Sequence, residues 1–286
     1  MALALAACGS ESGSPARLAG AIVDGRLREV SGMAASRVHP DTLWVLNDGG
    51  NDHAIYAISR RGGALARLEV AGVANTDWED MAAFELDGRH YLLIADTGDN
   101  GGLRRTLQLH VVEEPSALRD GTIAPAWSIA FRWPDGARDC EAVAVDATAG
   151  RVLLVSKKRH PPELFWLPLR ATGRREVARL DGTLAGIPQA TAEELRASPK
   201  RARLRGQVTA ADLSPDGRAL AVMTYDDLAI YRRRAGEPWR AAVARAPVLR
   251  PLPLIPQAEA LAWSASGQGL FATGEFTPAP LFYLTP

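Results

Sequence analysis

The chain has 286 residues, of which 33 are basic and 33 acidic, so its formal net charge at pH 7 is zero. Nothing in these totals suggests a protein that wraps nucleic acid or coats an anionic membrane, so we expect no nucleic-acid partner, and any charge-driven function must come from local arrangement. The 26 Gly and 19 Pro residues are more than long helices tolerate, and they favour many short strands joined by turns.

The first predicted element is an N-terminal signal over residues 1–15, an apolar run that ends at Cys8 and continues in small polar residues. "LAAC" at positions 5–8 resembles a bacterial lipobox, in which the signal is cut before the cysteine and the thiol carries lipid. The basic residues that open a secretory signal are missing, so we interpret the segment as a truncated lipoprotein signal and linker. The alternative is an apolar N-terminus with a chance cysteine. We therefore expect a periplasm-facing lipoprotein of the bacterial cell envelope, with membrane contact only through its lipid anchor.

Lipidation at Cys8 predicts where the protein is found. With its full signal restored, it is expected to partition with membranes, and Cys8→Ser is expected to release it, because the serine hydroxyl cannot form the thioether. Cell fractionation followed by immunoblotting measures this. A wild type in the soluble fraction would contradict the lipobox interpretation.

Five segments of 20 residues align without a gap along the rest of the chain, at 29–48, 77–96, 139–158, 207–226 and 257–276. Each has two polar residues two positions apart, a short apolar strand, a turn, and a second apolar strand that ends in polar residues. The turns "LDGR", "TAGR", "PDGR" and "ASGQ" place Gly where a tight reversal needs a positive φ. One or two strand-like stretches follow each hairpin, which suits a four-stranded propeller blade.

We therefore predict an all-β protein in which residues 16–286 form one β-propeller of five blades, each with four antiparallel strands; six blades are the alternative. The fifth repeat ends one strand short, and "ARLAGAIVD" (16–24) is an unassigned strand, so the N-terminal strand is expected to complete the last blade. Segment 181–206 does not fit a blade. Its Thr191 and Glu194 form a capping-box pattern, which predicts a short helix.

The repeats also predict where the polar side chains gather. In a propeller the first strand of each blade lines the channel, and its start meets the end of the second strand at one mouth. Strand alternation turns the first and third repeat positions towards the axis, and it turns Trp78 and Asp80 away. The carboxylates at those two positions are Glu29, Asp77, Glu79, Asp139, Glu141 and Glu259.

Carboxylates gathered in this way repel one another and raise each other's pKa unless a cation intervenes. All the ligands on offer are oxygen atoms, which favours Ca²⁺ or Mg²⁺ over zinc, so we treat these six acids as candidate Ca²⁺ ligands. The alternative is a ring that holds only water and fixes the register of the blades. Lys157, Lys158 and His160 form a basic sector beside the ring and are the candidate catalytic residues. Cys140 is expected to be an inert buried thiol.

The blade starts "EVSGMA", "DWEDMA", "DCEAVAV" and "QAEALAW" resemble those of bacterial propellers in the SdiA-regulated family and in the related esterase-like phytase family. The resemblance implies an envelope location, a metal at the tunnel mouth in some members, and ester or phosphoester hydrolysis. It matches Glu79, Glu141 and Glu259 to the family's acids, whereas Ser31 and Thr209 replace acids in two blades. The multi-Asp phosphate motif of active β-propeller phytases is absent.

Two functions follow from the sequence. The first is a metal-dependent ester or phosphoester hydrolase, with the acids holding metal and the basic sector meeting a small anionic substrate. The second is a non-catalytic periplasmic module that binds or scaffolds an envelope protein. In both cases we expect a monomer.

Overall fold

The protein is a five-bladed β-propeller, as the repeats predict, and the computed structural model describes its residues 16–286. The Cys8 prediction lies outside these residues. Each blade is built on a sheet of four antiparallel strands, and two blades carry one additional short strand. One blade therefore corresponds to each repeat.

The strands are numbered in chain order. Blade 5 takes its outermost strand from the start of the chain, β1 (Ala16–Ile22). Blade 1 contains β2 (Val30–Ala35), β3 (Thr42–Asn47), β4 (Ala54–Ser59) and β5 (Ala64–Val70). Blade 2 contains β6 (Trp78–Leu86), β7 (Arg89–Asp96), β8 (Leu107–Glu113) and β10 (Trp127–Arg132), and the intervening β9 (Gly121–Ile123) pairs in parallel with β5.

Blade 3 contains β11 (Ala142–Asp146), β12 (Arg151–Val155), β13 (Glu163–Pro168) and β15 (Arg179–Thr183), and the intervening β14 (Glu176–Val177) pairs in parallel with β10. Blade 4 contains β16 (Val208–Leu213), β17 (Ala219–Thr224), β18 (Asp227–Arg232) and β19 (Val248–Pro251). Blade 5 is completed by β20 (Ala258–Trp263), β21 (Leu270–Gly274) and β22 (Ala279–Leu284).

The ring is closed by its N-terminal strand, which confirms that prediction. Strand β1 pairs antiparallel with β22, from Ala16 opposite Leu284 to Ile22 opposite Ala279. The five first strands also contact one another around the axis in the order β2, β6, β11, β16, β20 and back to β2. Closure protects the edge of blade 5 that would otherwise be open to pairing with another chain.

The hydrophobic core is divided among the contacts between successive blades. The described residues form five buried apolar clusters, one for each pair of neighbouring blades, including the pair of blades 5 and 1. Trp44 and Trp78, both fully buried, pack in the cluster between blades 1 and 2. Because each sheet is covered on both faces, its central strands are apolar on both sides, and burial of each large side chain contributes about 1.5–3 kcal/mol.

The two faces of the propeller differ. The turn face carries the hairpins between first and second strands, where Gly88, Gly150, Gly217 and Gly267 adopt φ values of 74°, 62°, 68° and 71°. The mouth face carries the starts of the first strands and the ends of the second strands. Ala16 lies at the turn face, because it pairs with Leu284, whose partner Leu270 pairs with Trp263 at the end of β20.

The insertion before blade 4 contains the predicted helix, α1 (Ala192–Ala197). The Thr191 hydroxyl accepts a hydrogen bond from the Glu194 amide at 3.1 Å, and the Glu194 carboxylate accepts one from the Thr191 amide at 2.7 Å. This reciprocal cap confirms the prediction. Helices α2 (Pro199–Ala202) and α3 (Trp239–Val243) are also short. Within residues 16–286, every helix falls short of the length and apolar character that crossing a membrane requires.

Candidate cation site at the channel mouth

A bulge at the third repeat position shapes the mouth. In blades 1, 2, 4 and 5 the register of the first hairpin shifts by one residue at this position, so the residue there has no partner on the second strand. In blade 3 the equivalent residue, Glu141, directly precedes β11. Such bulges re-aim side chains. All five residues are buried at the mouth: Ser31, Glu79, Glu141, Thr209 and Glu259.

The bulge also moves the next residue, so the prediction that Asp80 faces away from the axis is wrong. Its Oδ2 accepts hydrogen bonds from the amides of Val143 at 2.8 Å and Ala211 at 3.3 Å, which belong to the first strands of blades 3 and 4. A single oxygen can reach both strands only inside the channel. Simple alternation fails here because the extra residue reverses the side to which the following side chains point.

Four of the six predicted ligands lie close together, and they are joined by Asp48, which directly follows β3. The four are Asp77, Glu79, Asp139 and Glu141. Carboxylate oxygens of Asp48, Asp77 and Glu79 lie within 4.8 Å of one another, and so do those of Glu79, Asp139 and Glu141. Glu79 belongs to both groups. The mouth of blades 1, 2 and 3 therefore offers two overlapping carboxylate triads.

The two lysines predicted to be catalytic neutralise the second triad. Lys157 is buried, its Nζ forms an ion pair with Glu141, and it lies 3.9 Å from Oε1 of Glu259. The Nζ of Lys158 lies 2.7 Å from Oδ2 of Asp139. His160 is exposed in the loop that follows. Two residues of the basic sector, Lys157 and Lys158, thus form ion pairs with acids of the mouth.

The two remaining predicted ligands, Glu259 and Glu29, belong to neither triad. Glu259 accepts a hydrogen bond from the Tyr225 hydroxyl at 2.7 Å, and Tyr225 stacks against Lys157, with Nζ 5.5 Å from the ring centroid. Glu29 is exposed and accepts a hydrogen bond from the Asn51 amide at 2.7 Å. Both carboxylate triads therefore lie in the sector of blades 1, 2 and 3, and Glu259 lies beside them in blade 5.

The first triad has no cationic partner of its own. Within residues 16–286, no Lys, Arg or His nitrogen lies within 4.0 Å, the limit for an ion pair, of a carboxylate oxygen of Asp48, Asp77 or Glu79. Burial raises the pKa of Asp48 to about 6 and raises that of Asp77, although Arg104 opposes the second shift. Burial and the nearby Glu141 raise the pKa of Glu79 well above its ordinary value. Keeping these three carboxylates ionised therefore costs free energy, and a bound cation would remove that cost.

Two glycines allow the triad to be this compact. A Cβ atom at Gly98 would overlap Oε1 of Glu79, and one at Gly49 would overlap Oδ1 of Asp77. The loop of Gly98 is held by Arg104, which donates to the Gly98 carbonyl at 2.7 Å and pairs with Asp96 at 2.6 Å. The backbone therefore approaches the carboxylates as closely as it does only because both residues lack side chains.

Some of these residues carried a usable signal in the sequence. Asp48 ends the second strand of the first repeat, so its place at the mouth follows from the repeat alignment. Tyr225 occupies the same repeat position as Lys157 and Glu275, so the alignment also places it at the mouth. Arg104 carries no such signal, because its role depends on the conformation of the loop after β7.

No protein-family model matches the chain, and no curated protein matches it. The class that the fold and the site define is a five-bladed β-propeller with an acidic channel mouth. The resemblance of the blade starts to the SdiA-regulated and esterase-like phytase families remains an expectation from short motifs.

Proposed function

We propose that this protein is a divalent-cation-binding β-propeller that holds Ca²⁺ through Asp48, Asp77 and Glu79. The observation that carries the proposal is the contrast between the two triads, since one contains acids paired with lysines and the other is left without a cationic side chain. Three carboxylates supply oxygen ligands of the type that Ca²⁺ prefers, and Ca²⁺ tolerates irregular geometry better than Mg²⁺ does. The coordination positions of Ca²⁺ that these three carboxylates leave open are available to water or to a ligand.

Calcium is expected to raise the melting temperature of the wild type. A ligand that binds only the folded state stabilises it by about 2.7 kcal/mol at 100 times its Kd. The double variant Asp77→Asn with Glu79→Gln removes two of the three charges and is expected to abolish the rise. Differential scanning fluorimetry and isothermal titration calorimetry, after chelation and with Ca²⁺, Mg²⁺ or Mn²⁺ added, measure both effects.

Glu85→Gln is the matched control. Glu85 lies on the same strand as Glu79 but is exposed towards the turn face, so this variant should respond to Ca²⁺ as the wild type does. A metal-free double variant that melts above the wild type is consistent with relief of repulsion. A wild type that is indifferent to all three ions, with no heat of binding, would refute the proposal.

A non-catalytic binding module fits the geometry better than a hydrolase, because Lys157 and Lys158 are already paired with acids of the mouth. One observation favours hydrolysis as the second candidate. Burial and the nearby Glu259 raise the pKa of Glu275 to about 8, so this carboxyl group keeps a proton at neutral pH and could donate it to a leaving group. A bound cation would polarise the ester oxygen.

The same variants separate the two functions. Turnover of p-nitrophenyl phosphate or p-nitrophenyl acetate that needs Ca²⁺, and that Glu275→Gln abolishes while Ca²⁺ binding persists, would establish the hydrolase. Absence of turnover with intact Ca²⁺ binding would leave the binding module. The proposed envelope location rests on the lipobox and on the resemblance of the blade starts, and the Cys8→Ser fractionation tests the lipobox.

A further inference from the structure

A second polar feature of the mouth face is a pocket of about 570 Å³ at the junction of blades 2 and 3. The loop after β7 contributes Arg104 and Arg105, the end of β10 contributes Arg132, and the segment before β14 contributes Arg175. Leu103 and Trp133 supply apolar surface. Four arginines from three parts of the chain thus face one cavity.

The charge of this pocket is largely uncompensated. No carboxylate is among the residues that line it. Arg104 pairs with Asp96. No carboxylate oxygen of residues 16–286 lies within 4.0 Å, the limit for an ion pair, of the guanidinium groups of Arg105, Arg132 and Arg175. Their contacts are with neutral groups: Arg132 donates to the Trp133 carbonyl at 3.0 Å, and Arg175 donates to the Thr106 hydroxyl at 3.3 Å.

Another arginine-rich pocket, on the turn face between blades 3 and 4, shows the contrast. It has a volume of about 490 Å³ and includes Arg218, Arg233 and Arg234, but Asp146, Asp216 and Glu237 also line it. There Arg233 pairs with Asp146 at 2.8 Å. Arginines therefore line both pockets, but only the pocket at blades 2 and 3 combines several arginines with no acidic residue.

We propose that the pocket of Arg104, Arg105, Arg132 and Arg175 binds a small polyanion that carries phosphate groups. The planar guanidinium forms two parallel hydrogen bonds with phosphate, so several arginines around one cavity suit a group with more than one negative charge. The volume lies within the range of small-molecule sites. Leu103, with 85 % of its surface exposed, can cover an organic part of the ligand.

This site is separate from the proposed cation site, and it can be tested without metal. Arg104 also contacts Asp96 and Gly98 beside the carboxylate triad, so it is left unchanged in the test. Arg105 and Arg175 are exposed, and their replacement should not disturb folding. Because the buffer contains a chelator, failure of Ca²⁺ binding would leave the outcome of this experiment unaffected.

The experiment measures binding of pyrophosphate and orthophosphate by isothermal titration calorimetry at low salt. Arg105→Gln with Arg175→Gln is expected to weaken pyrophosphate binding at least tenfold. Arg218→Gln with Arg234→Gln, which makes the same change in charge at exposed positions of the turn-face pocket, is the matched control and should bind as the wild type does.

A second arm distinguishes a free phosphate compound from a lipid headgroup. Co-sedimentation with vesicles of phosphatidic acid in phosphatidylcholine, lost in the Arg105/Arg175 variant and kept in the control, would assign the pocket to a headgroup. Pyrophosphate binding without such co-sedimentation would assign it to a free compound. If the wild type binds neither probe, or if both variants lose affinity equally, the proposal is overturned.

Discussion

Replacement of Asp80 by alanine is expected to lower the free energy of unfolding by about 3–5 kcal/mol, the range for loss of a buried hydrogen-bond network. Asp80 is fully buried and accepts hydrogen bonds from its neighbour Met81 and from Val143 and Ala211 of two other blades. Without the carboxylate, three buried amides lose their acceptor. For a chain of this size the melting temperature should fall by about 10 °C.

The sequence alone would suggest the opposite result. The fourth repeat position is Gly32, Ala142, Ala210 or Ala260 in the other blades, so alanine is the consensus residue there. Asp80→Asn should cost less than Asp80→Ala, because the amide oxygen still accepts hydrogen bonds. Glu85→Ala, at an exposed position of the same strand, should have little effect. An Asp80→Ala variant that melts with the wild type would show that the channel does not depend on this carboxylate.

The metal-free protein is expected to lose stability as the pH rises from 5 to 8. Burial is the main cause that raises the pKa of Asp48 to about 6, of Asp212 to about 7 and of Glu275 to about 8. Unfolded carboxyl groups ionise near pH 4, so between these values the folded state binds more protons, and its stability falls with increasing pH. We expect a loss of about 2–4 kcal/mol, because Asp48 and Glu275 are partly exposed and screened.

Calcium is expected to cancel the part of this decline that comes from its proposed ligand Asp48, because it binds the ionised carboxylate and its affinity therefore rises with pH, whereas the parts due to Asp212 and Glu275 should remain. Urea unfolding at pH 5, 6, 7 and 8, with chelator and with Ca²⁺, measures both curves. Glu275→Gln imitates the protonated acid and should flatten the metal-free curve above pH 7. A metal-free stability that increases between pH 5 and 8 would contradict the assigned shifts.

The fold could be predicted because its signals are local and repeated. Four of the five hairpins carry a Gly at a position that needs positive φ, as at Gly88 and Gly150, and five aligned copies leave one strand missing at the end and one free at the start. The helix at Thr191 was equally local, since its cap depends on residues three positions apart. Such patterns need no knowledge of how distant parts of the chain meet.

The candidate site could be predicted only in part, because its details depend on distant contacts. The repeat alignment brings Asp77, Glu79, Asp139 and Glu141 to one mouth, but it does not show that Lys157 would pair with Glu141. The bulge at Glu79 has no distinct sequence signature, and it reverses the expected direction of Asp80. Contacts between different blades determine which charges form ion pairs and where the side chains around a bulge point. The sequence of a single repeat does not contain this information.

Closure by β1 also decides from which face of the propeller the two ends of the described chain emerge. Ala16 and Leu284 are paired at the turn face, so the chain enters and leaves the propeller on the side opposite the carboxylate triads and the arginine pocket. If Cys8 carries a lipid, the anchored segment enters the propeller at the turn face, and both proposed sites lie on the opposite face. A chip or bead coupled through either terminus would likewise leave both proposed sites open to the passing solution.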